Sequence, residues 1–371
     1  MSRIRVLIVD DAVVIRRLVG DVLAADPEIE VVGTAANGRI ALQKIPQCNP
    51  DVVTMDVEMP DMNGIETVRE LRKTWPKLPV IMFSTLTERG GVATLDALAA
   101  GASDYATKPA NVGSVTAGLE TVRTDLIPKI KALAGRPVGL PAPATAARPV
   151  APVRPAIPPA APAAAPAPAP GHIEVVAIGV STGGPNALAE LLPALPKTLP
   201  VPIVITQHMP PMFTRLLADR LNAQSAIEVV EGQAAMRLNP GTAYIAPGDY
   251  HMVLDRVATG TVVSLNQAPP ENSCRPAVDV MFRSVVDVYH GAVLGVILTG
   301  MGQDGLRGCE LVRDAGGQVL AQDEDSSVVW GMPGFVARAG LADRVLPLNM
   351  IAGEIVRRVA ATSRVTAARA S

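Results

Sequence analysis

Short apolar runs alternate with helix-period stripes over most of the chain, and a proline-rich stretch divides the pattern into two blocks. In the first block the runs are RVLIVDD, EVVGTAA, DVVTMDV, PVIMFST and SDYATKP. Each is apolar without alternation, as strands covered on both faces are. Between the first two, Ile15, Leu18, Val19, Val22 and Leu23 recur at helical spacing. The order βαβαβ predicts a parallel, doubly wound sheet. From about residue 172 the alternation resumes with EVVAIGV, PIVITQH, TAYIAPG, AVLGVILTG and QVLAQDE. Helices are predicted over 185–195, 212–222, 277–289, 305–315 and 351–361. HMVLD and TVVSL read as an antiparallel excursion inside an otherwise α/β domain.

The dividing stretch cannot fold. Twelve of the 35 residues from 136 to 170 are proline, most of the rest are alanine, and none is acidic. Such a segment lacks backbone donors and apolar surface, and reads as a semi-rigid polyproline-like linker. The expected organisation is a domain over 1–127, a Pro/Ala-rich linker over 128–171, a second domain over 172–365 and a flexible tail over 366–371. A net charge of −2 offers no footprint for nucleic acid or an anionic membrane. Cys48, Cys274 and Cys309 are far apart and odd in number, so they predict neither a zinc site nor a disulfide framework. They read as reduced structural thiols of a cytoplasmic protein. The N-terminus runs straight into IRVLIVDD, which is no signal sequence, and no run approaches a membrane span.

Ligands of open parallel sheets bind at the carboxyl ends of the strands. In the first block those ends carry Asp10-Asp11, Asp56, Ser84-Thr85 and Lys108. Three converging carboxylates repel one another unless a cation joins them, and Mg²⁺ suits such oxygens. One carboxylate can then attack a phosphoryl group, with the lysine and the hydroxyl holding the new oxygens. Through VDD, MDVEMPDMNG, FST and TKP, residues 3 to about 125 resemble the receiver domain of two-component response regulators. The resemblance implies phosphorylation of Asp56 by a histidine kinase, with Asp10, Asp11 and Asp56 as Mg²⁺ ligands. It implies Ser84 as the switch hydroxyl, ahead of Thr85, Lys108 as the phosphate partner, and Tyr105 as the aromatic that reorients.

In the second block Gly179-Val180-Ser181-Thr182-Gly183 fits G-x-S-x-G, a serine on a tight strand-to-helix turn. Three roles are open for Ser181: nucleophile, part of a phosphate cradle, or cap of the helix starting near Pro185. A nucleophile needs a base. His172 abuts the linker, His290 ends a helix, and His251 begins a later strand. His208 follows PIVIT and stands at a strand's carboxyl end. The base needs an acid, and Asp304 lies in the loop after AVLGVILTG; Asp279, in a helical and half-apolar context, is its rival.

GVSTGGP, QHMP, AYIAPGDYHM, RPAVDVMF, ILTGMGQDG and AQDEDSSVVWGMP make residues 172 to about 360 similar to the catalytic domain of chemotaxis protein-glutamate methylesterases. The resemblance implies a flavodoxin-like receiver in front of a mostly parallel α/β hydrolase domain, activated by phosphorylation. It implies that Ser181 attacks glutamate methyl esters on chemoreceptors, His208 carries the proton, Asp304 orients His208, and the Met301 amide holds the oxyanion. Methanol release and deamidation of receptor glutamines follow, with no cofactor for the esterase. The alternative is a receiver with a nucleotide- or protein-binding output. A DNA-binding output lacks the necessary basic helical module.

Overall fold

The computed structural model describes residues 2–85, 87–108, 120, 122–135 and 172–369. The proline-rich segment and the residues after Lys108 up to 119 lie outside the described residues.

The first sheet holds β1 (Ile4–Val9), β2 (Ile29–Ala35), β3 (Val52–Asp56), β4 (Val80–Ser84) and β5 (Asp104–Thr107), in the order β2-β1-β3-β4-β5. All its pairings are parallel, as the apolar runs predict. Around it pack α1 (Val13–Ala24), α2 (Gly38–Cys48), α3 (Gly64–Thr74) and α4 (Glu88–Ala99). Their starts are written in the sequence. Asn37 and Thr87 cap α2 and α4, and Asn63 forms a reciprocal capping box with Glu66 on α3. A further helix, α5 (Ile127–Leu133), runs past residue 127, where the linker was expected to begin.

The second sheet is also wholly parallel, with seven strands in the order β14-β13-β12-β6-β7-β9-β8. The expected strands are β6 (Val175–Val180), β7 (Ile203–Gln207), β9 (Thr242–Ile245), β12 (Val293–Ile297) and β13 (Gln318–Gln322). The expected antiparallel excursion is the hairpin β10 (His251–Val257) and β11 (Gly260–Asn266). The edge strands β8 (Glu228–Glu231) and β14 (Arg344–Leu346) are additions. Both are short and carry charges, so neither shows as an apolar run. The helices are α6 (Gly184–Leu191), α7 (Phe213–Gln224), α8 (Val278–Tyr289), α9 (Leu306–Asp314), α10 (Met332–Arg338) and α11 (Leu348–Arg369). Only the seven-residue α10 had no counterpart in the periodicity. α11 continues through most of the tail expected to lose order beyond residue 365.

The chain leaves β6 in one direction, through β7, and later returns to β6's other side as β12. A reversal of this kind opens a crevice at the carboxyl ends of the strands. The loops after β6, β7 and β12 all face it.

The first domain rests on the second through α4 and β5, against α6 and α7. Leu95, Leu98 and Tyr105 join Phe213, Leu217 and Leu221 in one apolar cluster. The Tyr105 and Phe213 rings stack at 5.2 Å and 10°. Arg220 pairs with Asp96 at 2.6 Å, and Asn186 donates to the Ala102 carbonyl at 3.2 Å. Gly91 allows the close approach, because a Cβ there would lie 2.7 Å from Leu216 Cδ1.

Gly91→Leu should therefore separate the domains without harming α4, since leucine gains about 1 kcal/mol over glycine in a helix. The expected outcome is a larger radius of gyration in small-angle scattering. An unchanged radius would mean that α4 does not carry the contact.

Candidate active site

In the first domain Asp10, Asp11 and Asp56 bring carboxylate oxygens within 4.8 Å of one another. Lys108 Nζ lies 2.7 Å from Asp10 and 2.8 Å from Asp56. Burial pushes the Asp56 carboxyl up to about 6, against the opposing pull of Lys108. Lys108 is itself held above its ordinary value: burial opposes its charge, and Asp10 and Asp56 restore it. This all-carboxylate oxygen set, with Asp11 open to solvent, suits a hard divalent cation. Ser84 is buried and its hydroxyl donates to the Gly90 carbonyl, 3.2 Å away in the first turn of α4. Thr85 is exposed. The five groups thus converge on one sheet edge, as the strand ends predict.

In the second domain Ser181 follows β6 on a sharp turn. Gly183 has φ 78°, and Val328 and Thr299 leave no space for a side chain on it. Gly300 approaches equally closely, since a Cβ there would lie 2.8 Å from Ser181 Cβ. The Ser181 amide donates to the Thr299 carbonyl at 3.0 Å, and its carbonyl accepts from Gly184 N and Gln207 Nε2. Helix α6 is capped at Gly183 without any side-chain bond, which removes the capping role for Ser181. A Cβ on Gly183 would meet Val328, and one on Gly184 would meet the Gln207 side chain, so both positions require glycine. The Ser181 hydroxyl bonds to no described residue.

His208 follows β7 and is mostly buried. Its Nε2 meets Asp304 Oδ2 at 2.8 Å, and its Nδ1 faces Cys274 Sγ at 3.5 Å. Burial works against a charged ring, yet Cys274 and Asp304 together raise its pKa to about 10. No hydrogen bond joins His208 to Ser181. In resting enzymes such bonds are commonly long and tighten on substrate binding. The other histidines do not reach this edge. His251 is buried between the Pro269 carbonyl and the Ala277 amide, His172 lies by Glu174, and His290 ends α8.

Asp304, in the loop after β12, sits at the start of α8. Its Oδ2 accepts from Val278 N at 2.6 Å, and its Oδ1 accepts from Asp279 N at 3.0 Å and Asn272 Nδ2 at 2.9 Å. Burial pushes its pKa up, but His208 and the two helix amides outweigh this and hold it below its ordinary value. Asp279 is buried and does not touch His208. It accepts from Gly305 N, Gly308 N and Asn272, and burial beside Asp304 lifts it to about 6.

Asn272 and Cys274 come from one turn that the sequence did not single out. Residues 271 and 274 bond to each other through both amides, with Asn272 at φ 52° and Ser273 at φ 62°. These left-handed angles mark a type I′ turn, for which asparagine is suited. Cys274 is therefore not the plain structural thiol expected of it. The amides of Met301 and Thr182 donate to no described residue; Thr182 follows Ser181, and Met301 follows Gly300, which packs on Ser181. The first domain reaches the same edge. Lys129 on α5 donates to the Tyr105 carbonyl and pairs with Asp125, each at 2.7 Å. Burial raises the neighbouring Asp104, against Lys129 and the Thr182 hydroxyl.

Comparison with known proteins follows this division. The CheB methylesterase family profile matches residues 176–355, and the response regulator receiver domain profile matches residues 6–120. A protein-glutamate methylesterase/protein-glutamine glutaminase of Trichodesmium erythraeum is 53% identical over 97% of this chain and 100% of its own. One from a Nocardioides species is 58% identical over 97% of this chain and 96% of its own. The crystal structure of the Thermotoga maritima CheB methylesterase catalytic domain aligns at TM-score 0.49 and 42% identity, covering 50% of this chain and 98% of that one.

Asn272→Ala removes the donor shared by two buried carboxylates. It should cost about 1–3 kcal/mol in urea denaturation at pH 7. Asp279 binds its proton more tightly folded than unfolded, so its contribution to stability is present below about 4 and lost as pH rises through about 6. The deficit of the variant should accordingly shrink at pH 5. Equal deficits at both pH values would contradict this pairing.

Proposed function

Because the chain belongs to the protein-glutamate methylesterase/protein-glutamine glutaminase family, we propose that it hydrolyses glutamate methyl esters on chemoreceptors under control of its receiver domain. The observation that carries the reading is the His208–Asp304 pair beside the Ser181 turn, built from three adjacent strand ends.

The roles follow from which atoms are already engaged. Asp304 holds Nε2 of His208, so Nδ1 is the nitrogen that accepts the proton of Ser181. Ser181 Oγ bonds to the ester carbonyl carbon, and the proposed donors to the oxyanion are the amides of Met301 and Thr182. The ester C–O bond then breaks, and methoxide leaves with the proton from Nδ1 as methanol. Water attacks the acyl-enzyme, gives a proton to His208, and releases the glutamate carboxylate while Ser181 recovers its hydrogen. A glutamine side chain takes the same course with ammonia as the leaving group. Asp304 stabilises the imidazolium without being protonated itself.

Control comes from the docked receiver. Its β5 edge lies on Thr182, next to Ser181, and shields the crevice from a protein substrate. A histidine kinase is the proposed phosphodonor to Asp56, with Asp10, Asp11 and Asp56 holding Mg²⁺, which would offset the charge of carboxylates and phosphate together. A phosphate on Asp56 offers acceptors to Lys108 and to the Ser84 hydroxyl, which now bonds to Gly90 at the start of α4. Moving Ser84 disturbs α4, and moving Tyr105 disturbs its stack on Phe213. Both events loosen the face that docks. No helix among the described residues is long and apolar enough to cross a membrane. The unpaired cysteines accord with action in the cytoplasm.

Methanol release from methylated receptor membranes tests the reading. Ser181→Ala should lose on the order of 10⁴-fold or more. Acetyl phosphate with Mg²⁺ should accelerate the intact chain but not Asp56→Asn. Full turnover by Ser181→Ala would remove the nucleophile assignment, and equal stimulation of Asp56→Asn would remove the switch. Mg²⁺ binding should also weaken as pH falls below about 6, where a proton competes for Asp56. Calorimetric titration at pH 7.5 and pH 5.5 checks this, and equal affinities would count against Asp56 as a ligand.

A further inference from the structure

The mechanism uses both nitrogens of His208, yet in the resting chain the Nδ1 edge does not face a free space. Cys274 Sγ stands 3.5 Å from it, and no hydrogen bond to Ser181 competes. The sulfur is held there by the turn described above, whose backbone bonds between Glu271 and Cys274 measure 2.9 and 3.1 Å. The same turn sends Asn272 to Asp304 and Asp279. One element therefore grips both the base and its acid, at the expense of two residues with left-handed backbone. Strained backbone of this kind persists where the surroundings dictate it.

We propose that Cys274 is a positioning residue for the reaction: its sulfur clasps the Nδ1 edge of His208 and competes with Ser181 for that nitrogen. The proposal rests on His208 being the base.

The contact has a chemical sign. A proton on Nδ1 lies between the ring and a polarisable sulfur, while the proton on Nε2 is held by Asp304. Both partners favour the doubly protonated ring, and a ring in that state cannot accept the proton of Ser181. The groups facing it are few. They are Asp304 from the loop after β12, Cys274 from the turn, and Asp279 from α8 behind Asp304.

The test is the titration of the His208 ring, followed by imidazole ¹⁵N shifts in the intact, unphosphorylated protein and in Cys274→Ala and Cys274→Ser. The shifts report the ring directly and do not depend on turnover. Cys274→Ala should move the ring's titration to lower pH by about one unit or more. Cys274→Ser retains a polar partner at the same place, and should fall between the two. The acid limb of methanol release should move with the ring. An unmoved titration in Cys274→Ala would overturn the proposal, as would a variant that loses activity equally at every pH with its ring unchanged. A shifted ring in a protein that releases no methanol at all would uphold the clasp and condemn the esterase reading instead.

Discussion

Everything at the catalytic edge depends on one carboxylate at one helix start. Asp304 accepts from the first amides of α8 and from His208, and both bonds would fail if the loop after β12 were displaced. A carboxylate buried this deeply is costly unless its oxygens are satisfied. Here the helix amides, Asn272 and Gly305 satisfy them, and the helix dipole adds to the effect. The acid can then remain ionised beside Asp279, which yields by holding its proton until about pH 6. Both acids accept amides from a helix start, so what separates their charge below about pH 6 is His208, which pairs with Asp304 and does not touch Asp279.

The docked receiver solves a second electrostatic problem at the same place. Asp104 is buried beside Thr182 of the second domain, and a buried carboxylate is costly unless a charge such as Lys129, 3.9 Å away, offsets it. Its burial therefore ties the receiver's geometry to that of Thr182 more strictly than the exposed Arg215–Glu88 contact can. Tyr105 connects this pair to the receiver's own switch, since its carbonyl accepts from Lys129 and its ring lies on Phe213. A change felt at Asp56 needs to travel only the length of β4 and β5 to reach it.

How much of this was legible in the sequence follows from how regular each segment is. The receiver constellation was legible because each of Asp10, Asp56, Ser84 and Lys108 ends an apolar run, and strand ends share an edge. Ser181, His208 and Asp304 were placed by the same reasoning, and the structure brings the last two into contact. Asn272 and Cys274 were not legible. They sit in PPENSCRP, which has no period, and their meeting with Asp304 and His208 depends on a turn type and a long-range fold. The strands β8 and β14 were lost because charges interrupt their short runs, and helix α10 because seven residues make barely two turns.

Release and docking must also balance in free energy. A domain pair joined by a tether meets at an effective concentration set by the tether, millimolar for short flexible chains and lower for longer ones. With 35 proline- and alanine-rich residues between 136 and 170, this chain sits toward the weak end. The docked face compensates with specific contacts: an aromatic stack, an Arg220–Asp96 pair and the bond from Asn186 to the Ala102 carbonyl. A shift from 1:99 to 99:1 needs about 5.5 kcal/mol of differential binding. No single contact at this face supplies that much, so phosphorylation has to act on several together. The path from Ser84 to α4 and from Tyr105 to Phe213 does so, because both end on the face that carries Asp96, Leu95 and Leu98.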